Sequence, residues 1–172
     1  MSRIFVLVAL LTCGAFLRPA SAQPTETPSR PSRPTAAEAT IGYTGFGDDG
    51  IIHHTGTGAT VRVHLTPRIS AGPEISYHLG PSRDRDLLLQ GLMYFDLRKP
   101  SAGHAGRIEP YVLAGGGLMS HDSGYGSSGS LTATSGGGAR IWVSRQAYVV
   151  ADARLGWPPN IRVVTGMGIL LR

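Results

Sequence analysis

From Ala39 onward, apolar and polar residues alternate with a period of two, and stretches rich in glycine, serine and proline interrupt the alternation. A period of two puts successive side chains on opposite faces of a strand. Eight such runs can be read, at 39–46, 57–65, 68–78, 86–97, 108–119, 130–143, 146–157 and 161–172. Most have the roughly 9 to 11 residues that a tilted strand needs to cross a bilayer. The pattern predicts an all-β fold: an eight-stranded antiparallel up-and-down barrel over 39–172.

The connections are expected to differ at the two ends. Thr66-Pro67 and Ser144-Arg145 read as two-residue turns, whereas 47–56, 79–85 and 120–129 read as long polar loops. The 98–107 connection is a longer turn on the short side. Short turns at one end and long loops at the other describe bacterial outer-membrane barrels, in which both termini are periplasmic.

The two faces differ in kind. In 68–78, Ile69, Ala71, Pro73, Ile75 and Tyr77 oppose Arg68, Ser70, Gly72, Glu74, Ser76 and His78; in 161–172, Ile161, Val163, Thr165, Met167, Ile169 and Leu171 oppose Arg162, Val164, Gly166, Gly168, Leu170 and Arg172. Taken together, the polar faces carry Arg62, Arg68, Arg140, Arg154 and Arg162 against Glu74, Asp86, Asp96, Glu109 and Asp152, with no lysine. Guanidinium groups form planar bidentate pairs with carboxylates in little space, so this set suits a confined lumen better than a solvated surface. The apolar face is then expected to meet outer-membrane lipid. The second reading is a soluble exported lipocalin-like barrel with the same alternation and its apolar face inward, around a small apolar ligand.

The N-terminus reads as an export signal: Arg3, an apolar stretch from Ile4, and Ala20-Ser21-Ala22 before Gln23. This makes 1–22 a signal peptide cleaved after Ala22 and directs the protein to the bacterial outer membrane. Residues 23–38 carry four prolines and no large apolar side chain, as expected of a disordered linker.

Composition narrows the chemistry. Of 172 residues, 24 are glycine and one is cysteine, Cys13, which excludes an intramolecular disulfide and a cysteine-based metal cluster. No apolar run after the first 17 residues approaches the roughly 20 required for a spanning helix. Loss of Arg3 and Arg18 leaves 16 − 2 = 14 basic residues against 11 acidic, and the basic residues beyond 39 are scattered. Nucleic-acid binders show clustered basic side chains and exposed aromatics, so nucleic acid is not an expected partner.

Pro110 to Gly117 (PYVLAGGG), Gly138 to Ser144 (GARIWVS) and Val149 to Arg154 (VVADAR) resemble the second half of small outer-membrane barrel domains of the opacity-protein and OmpA-transmembrane type. The likeness covers about half the chain. It implies an eight-stranded outer-membrane barrel whose loops, here 47–56, 79–85 and 120–129, meet extracellular or host surface molecules, without enzymatic activity. Such barrels commonly end in an aromatic residue, and this chain departs from that with Leu170-Leu171-Arg172.

Candidate chemistry is sparse. The glycine triplets 115–117 and 136–138 lack the helix and the Gly-Lys-Ser/Thr ending of a phosphate cradle. A hairpin turning near Gly126 would set them side by side, as a patch of bare backbone for bulky neighbours. His53, His54 and His121 fall in expected loops near Asp48, Asp49 and Asp122, but without a metal-ligand spacing they read as solvated. His64 and His78 are expected on the lumen face. Ser120-His121-Asp122 has the residue types of a catalytic triad, yet neighbours in one loop seldom reach its geometry. No catalytic, cofactor-binding or metal residue is predicted, and Arg140 is expected to pair with Asp152 across the 144–145 turn.

Overall fold

The computed structural model describes residues 35–48, 50–98 and 105–171; the expected signal peptide and the linker up to residue 34 lie outside the described residues. The period-two runs become eight strands: β1 (Thr35–Asp48), β2 (Gly50–His64), β3 (Ile69–Leu79), β4 (Arg85–Asp96), β5 (Ile108–Asp122), β6 (Ser127–Trp142), β7 (Ala147–Trp157) and β8 (Asn160–Leu171). Each pairs antiparallel with its sequence neighbour, and β1 closes on β8, from Thr35 opposite Leu171 to Phe46 opposite Asn160. Closure leaves no open sheet edge. The fold is an eight-stranded closed antiparallel barrel.

Several boundaries differ from the sequence reading. β1 begins at Thr35, so the last residues of the expected linker are strand, and Glu38 points inward. The expected loop 47–56 is a hairpin: Asp48 opposes Gly50, and pairing continues without a break from there. Likewise 120–129 is mostly strand, with only 123–126 left as a turn, where Gly124 has a φ of +78°. The 79–85 loop contracts to 80–84. The two longer segments show no period-two alternation, 47–56 because adjacent Ile51 and Ile52 fall on opposite faces and 120–129 because both faces are polar. Their backbone amides still satisfy one another across the hairpin. The 97–107 connection is the long turn expected at the end where β1 begins and β8 ends. The expected two-residue turns at 66–67 and 144–145 are four-residue connections, 65–68 and 143–146, about as long as 80–84 and 123–126, so loop length does not alternate as expected.

Side-chain alternation is strict where apolar and polar residues take turns. Along β4 every even-numbered residue from Asp86 to Asp96 is buried and every odd-numbered one is exposed. What alternates is inverted relative to a water-soluble protein. Among the described residues, 20 buried side chains are polar or charged and 10 are hydrophobic, while 29 large hydrophobic residues are exposed. Ile75, Val163 and Met167, each at least half exposed, point away from the interior. Arg68, assigned above to the polar face, is exposed in the 65–68 turn instead.

Candidate functional site

The interior is built in tiers. Near the termini, Arg62 of β2 lies 2.8 Å from Glu38 Oε1 of β1 and donates to the Tyr148 hydroxyl at 2.8 Å, and that hydroxyl donates to Glu38 Oε1 at 2.6 Å. The Arg62 guanidinium also sits 4.9 Å from the Tyr94 ring centroid. Such contact adds cation–π attraction where water is excluded. Gly168 makes this arrangement possible, because a Cβ there would lie 2.3 Å from the Tyr148 ring. Beside this group, Arg140 of β6 donates to Asp96 Oδ1 of β4 at 2.8 Å and covers the Tyr111 ring at 4.6 Å. The expected Arg140–Asp152 pair is thus corrected. Residues 140 and 152 are offset along the β6–β7 ladder, where Arg140 faces Val150, and the arginine reaches across β5 to β4 instead.

Mid-barrel, Glu74 is the hub. Both of its carboxylate oxygens accept from Arg154 Nη1 at 2.8 Å, and Oε1 accepts from Arg162 Nη2 at 3.0 Å. Arg154 turns its other edge to Asp152, with Nε and Nη2 donating at 2.8 and 3.0 Å. Asp152 also accepts from Tyr111 at 2.8 Å, and Arg162 donates to Gln90 at 3.1 Å. Two carboxylates and two guanidiniums joined by forked hydrogen bonds satisfy most of one another's polar capacity, the condition for burying charge.

The glycine triplets lie three residues off the expected register, since Gly116 faces Ala133 and Gly136 faces Leu113. The β5–β6 turn lies at 123–126, so opposing positions sum to a smaller number than a turn at Gly126 implies. Their role as bare backbone is local. Gly136 and Gly138 stand opposite Arg154 and Asp152, and a Cβ at Gly138 would come within 2.4 Å of the Asp152 Cβ.

At the mouth remote from the termini, His54 and His121 are brought together, but not with the acids expected for them. His54 Nε2 lies 3.0 Å from Asp84 Oδ2 and 3.2 Å from Asp86 Oδ2. His121 Nδ1 lies 2.8 Å from Asp86 Oδ1 and 3.3 Å from Asp84 Oδ1. His53, one residue from His54, is on the outer face and hydrogen-bonds Tyr43. Asp122 is exposed and accepts from the Gly124 amide at 2.8 Å. His78 lies below the cluster and hydrogen-bonds Thr44 and Ser76, both at 3.1 Å. Asp86 was read as inward but not tied to the histidines, and Asp84 was missed, although Asp-x-Asp at the start of a strand puts both on one face, and His54 shares the parity of inward Thr60 and Arg62. The signal was hidden by reading 47–56 as loop. Beside the cluster is a cavity of about 390 Å³, lined also by Met119, Ser128 and Ser130. Ser120 is exposed and on the opposite face of β5 from His121, so the Ser120-His121-Asp122 set does not assemble.

No protein-family model and no curated protein sequence matches this chain. Its likeness is to solved structures of small outer-membrane barrels. Neisserial surface protein A superposes with a TM-score of 0.63 at 12% identity, covering 80% of this chain and 96% of that one. The N-terminal β-barrel domain of Pseudomonas aeruginosa OprF gives 0.57 at 13% identity, covering 79% and 97%. Ail, the attachment invasion locus protein of Yersinia pestis, gives 0.54 at 11% identity, covering 81% and 99%. At these identities the likeness is one of fold.

Proposed function

We propose that this protein is a bacterial outer-membrane barrel with a structural or surface-interaction role, exported by a signal peptide at 1–22, with its lumen closed by its own side chains and without enzymatic activity. The observation that carries the proposal is the inversion of the barrel, with large apolar side chains outside and arginine–carboxylate networks inside. In water, an exposed band of that size would drive association; in a bilayer it is the surface a barrel requires. A lipocalin-like carrier needs an apolar chamber, whereas the middle of this barrel is occupied by Arg154, Arg162, Glu74 and Gln90. Eight strands enclose only enough space for side chains.

The surface offered to partners is the mouth remote from the termini: the ends of the β1–β2 and β5–β6 hairpins and the 80–84 turn. One Ail structure holds the heparin analogue sucrose octasulfate. The mouth of this chain mixes exposed Asp122 and half-buried Asp84 with exposed Arg83 and Arg85, so it offers no uniformly basic face for a polysulfated partner. Cell fractionation with a heat-modifiability gel tests the function. Recovery in the outer-membrane pellet with a band that shifts on boiling is expected, and release with soluble periplasmic protein would refute it.

A further inference from the structure

We propose that His54, Asp84 and Asp86 form a binding site for a divalent transition-metal ion of the zinc class at the barrel mouth, with His121 as the positioning residue for the Asp86 carboxylate. One donor atom from each of the three residues lies within 4.8 Å of the others. The imidazole nitrogen stands 3.0 and 3.2 Å from the two carboxylate oxygens. Around an ion bound at about 2.0 to 2.2 Å, neighbouring donors sit about 3 to 3.5 Å apart. The imidazole nitrogen is therefore already spaced from each carboxylate oxygen as an ion would hold it.

Three further observations point to a ligand. First, both nitrogens of His54, Asp86 Oδ2 and Asp84 Oδ1 are buried without an aligned hydrogen bond, while His54 is 2% and Asp86 1% exposed. Buried polar groups are ordinarily satisfied, and one imidazole with both nitrogens unsatisfied is unusual.

Second, among the described carboxylates inside the barrel, Asp84 and Asp86 are the two without a guanidinium partner. Glu38 lies against Arg62, Glu74 against Arg154 and Arg162, Asp96 against Arg140, Asp152 against Arg154, and Glu109 is 3.8 Å from Arg107. Asp84 and Asp86 face only imidazoles. Two carboxylates and a neutral histidine carry a charge of −2, which a divalent cation neutralises.

Third, the backbone makes room for the ring. A Cβ at Gly80 would come within 2.3 Å of His54 Nε2, and Phe46 packs edge-on to the imidazole with centroids 4.9 Å apart.

The division of labour follows from which oxygen faces which ring. Each aspartate turns Oδ2 to His54 and Oδ1 to His121, and His121 Nδ1 is within 2.8 Å of Asp86 Oδ1. A hydrogen bond to the second oxygen of a ligating carboxylate fixes its orientation. Partial exposure of His121 and Asp84 gives an entry path, and the adjoining cavity has room for water as the remaining ligands. One nitrogen with two oxygens suits zinc or manganese and is a poor match for calcium, which takes 6 to 8 oxygens. A bound ion would tie the β1–β2 hairpin to the β3–β4 turn.

The test is made on untagged protein folded in detergent and stripped with chelator, so its outcome does not depend on cellular location. Titration calorimetry with Zn²⁺ should give one equivalent bound at micromolar affinity or tighter, with no competition from millimolar Ca²⁺. His54→Gln and Asp84→Asn should each weaken binding at least ten-fold. His121→Ala should weaken it about 10- to 100-fold, the usual range for an outer-shell partner, and His53→Ala should leave it unchanged. Without any variant, Zn²⁺ should raise the thermal unfolding midpoint of the wild-type barrel, and chelator should reverse the rise. No zinc-dependent shift in the wild type would overturn the proposal, as would zinc binding that survives in folded His54→Gln and is lost in His53→Ala.

Discussion

Replacing Arg140 by methionine tests whether the interior charges are held by their partners. Arg140 makes one hydrogen-bonded ion pair, to Asp96 at 2.8 Å, and both side chains are at most 2% exposed. Two unit charges about 4 Å apart at an effective dielectric near 20 attract by about 4 kcal/mol. Removing one member of such a pair leaves the other charged, buried and unmatched, at a cost of about 3 to 5 kcal/mol. Methionine keeps a packing contact over Tyr111, so the loss reports mainly on charge. Arg140→Met and Asp96→Leu should each destabilise by that amount. The double variant should cost less than either, because two apolar side chains leave nothing stranded. Urea unfolding in detergent micelles reads this directly. With a slope of about 2 kcal/mol/M, a loss of 4 kcal/mol moves the midpoint by about 2 M. Arg140→Met combined with Asp152→Leu is the contrast and should show a smaller coupling than the Arg140–Asp96 cycle, since Asp152 is paired with Arg154 and meets Arg140 only through Tyr111. Additive losses in the Arg140–Asp96 cycle would refute the pairing and the claim that the lumen is an electrostatic network.

Ile75→Arg and Val163→Arg put a charge on the outward face and should each destabilise the barrel by about 2 to 4 kcal/mol in lipid; unchanged folding in vesicles would contradict the face assignment. Gly117→Ala sets a Cβ 1.9 Å from the Leu89 carbonyl oxygen, whereas a Cβ at Gly91 meets only the Gly116 oxygen at 4.0 Å. Thermal unfolding should therefore show a loss of about 1 to 3 kcal/mol for Gly117→Ala, with Gly91→Ala at or slightly above wild type. In planar-bilayer recording the purified protein should give no stable large conductance, because Glu74, Arg154 and Arg162 cross the lumen; reproducible porin-like steps would count against a closed interior.

Strand number, parity and the inward set of Arg62, Arg140, Arg154, Arg162, Glu74, Asp96, Glu109 and Asp152 were legible in the sequence, because a period of two needs only the order of residues. Strand ends were not. In 120–129 both faces are polar, and in 47–56 the adjacent Ile51 and Ile52 fall on opposite faces, so nothing in the alternation separates a solvated loop from a hairpin that continues beyond the apolar band. Interior pairings were hidden for a different reason. Sequence arithmetic relates residues across one turn, but in a narrow barrel long side chains reach past the adjacent strand. Arg140 on β6 meets Asp96 on β4, and Arg154 on β7 meets Glu74 on β3. The mouth cluster needed both pieces at once, the extended β2 that turns His54 inward and the register that brings β3–β4 beside it.

Nitroxide scanning along β8 tests the inverted barrel most directly. The one native cysteine, Cys13, lies in the expected signal peptide, so single cysteines can be placed at the outward positions 161, 163, 165, 167 and 169 and, as a water-exposed control, at Tyr125 in the 123–126 turn. In proteoliposomes the odd-numbered labels on β8 should be open to oxygen, which concentrates in the bilayer, and shielded from a water-soluble nickel chelate, while the label at 125 is open to the chelate. Odd-numbered labels freely relaxed by the nickel chelate would place that face in water and contradict a lipid-facing barrel.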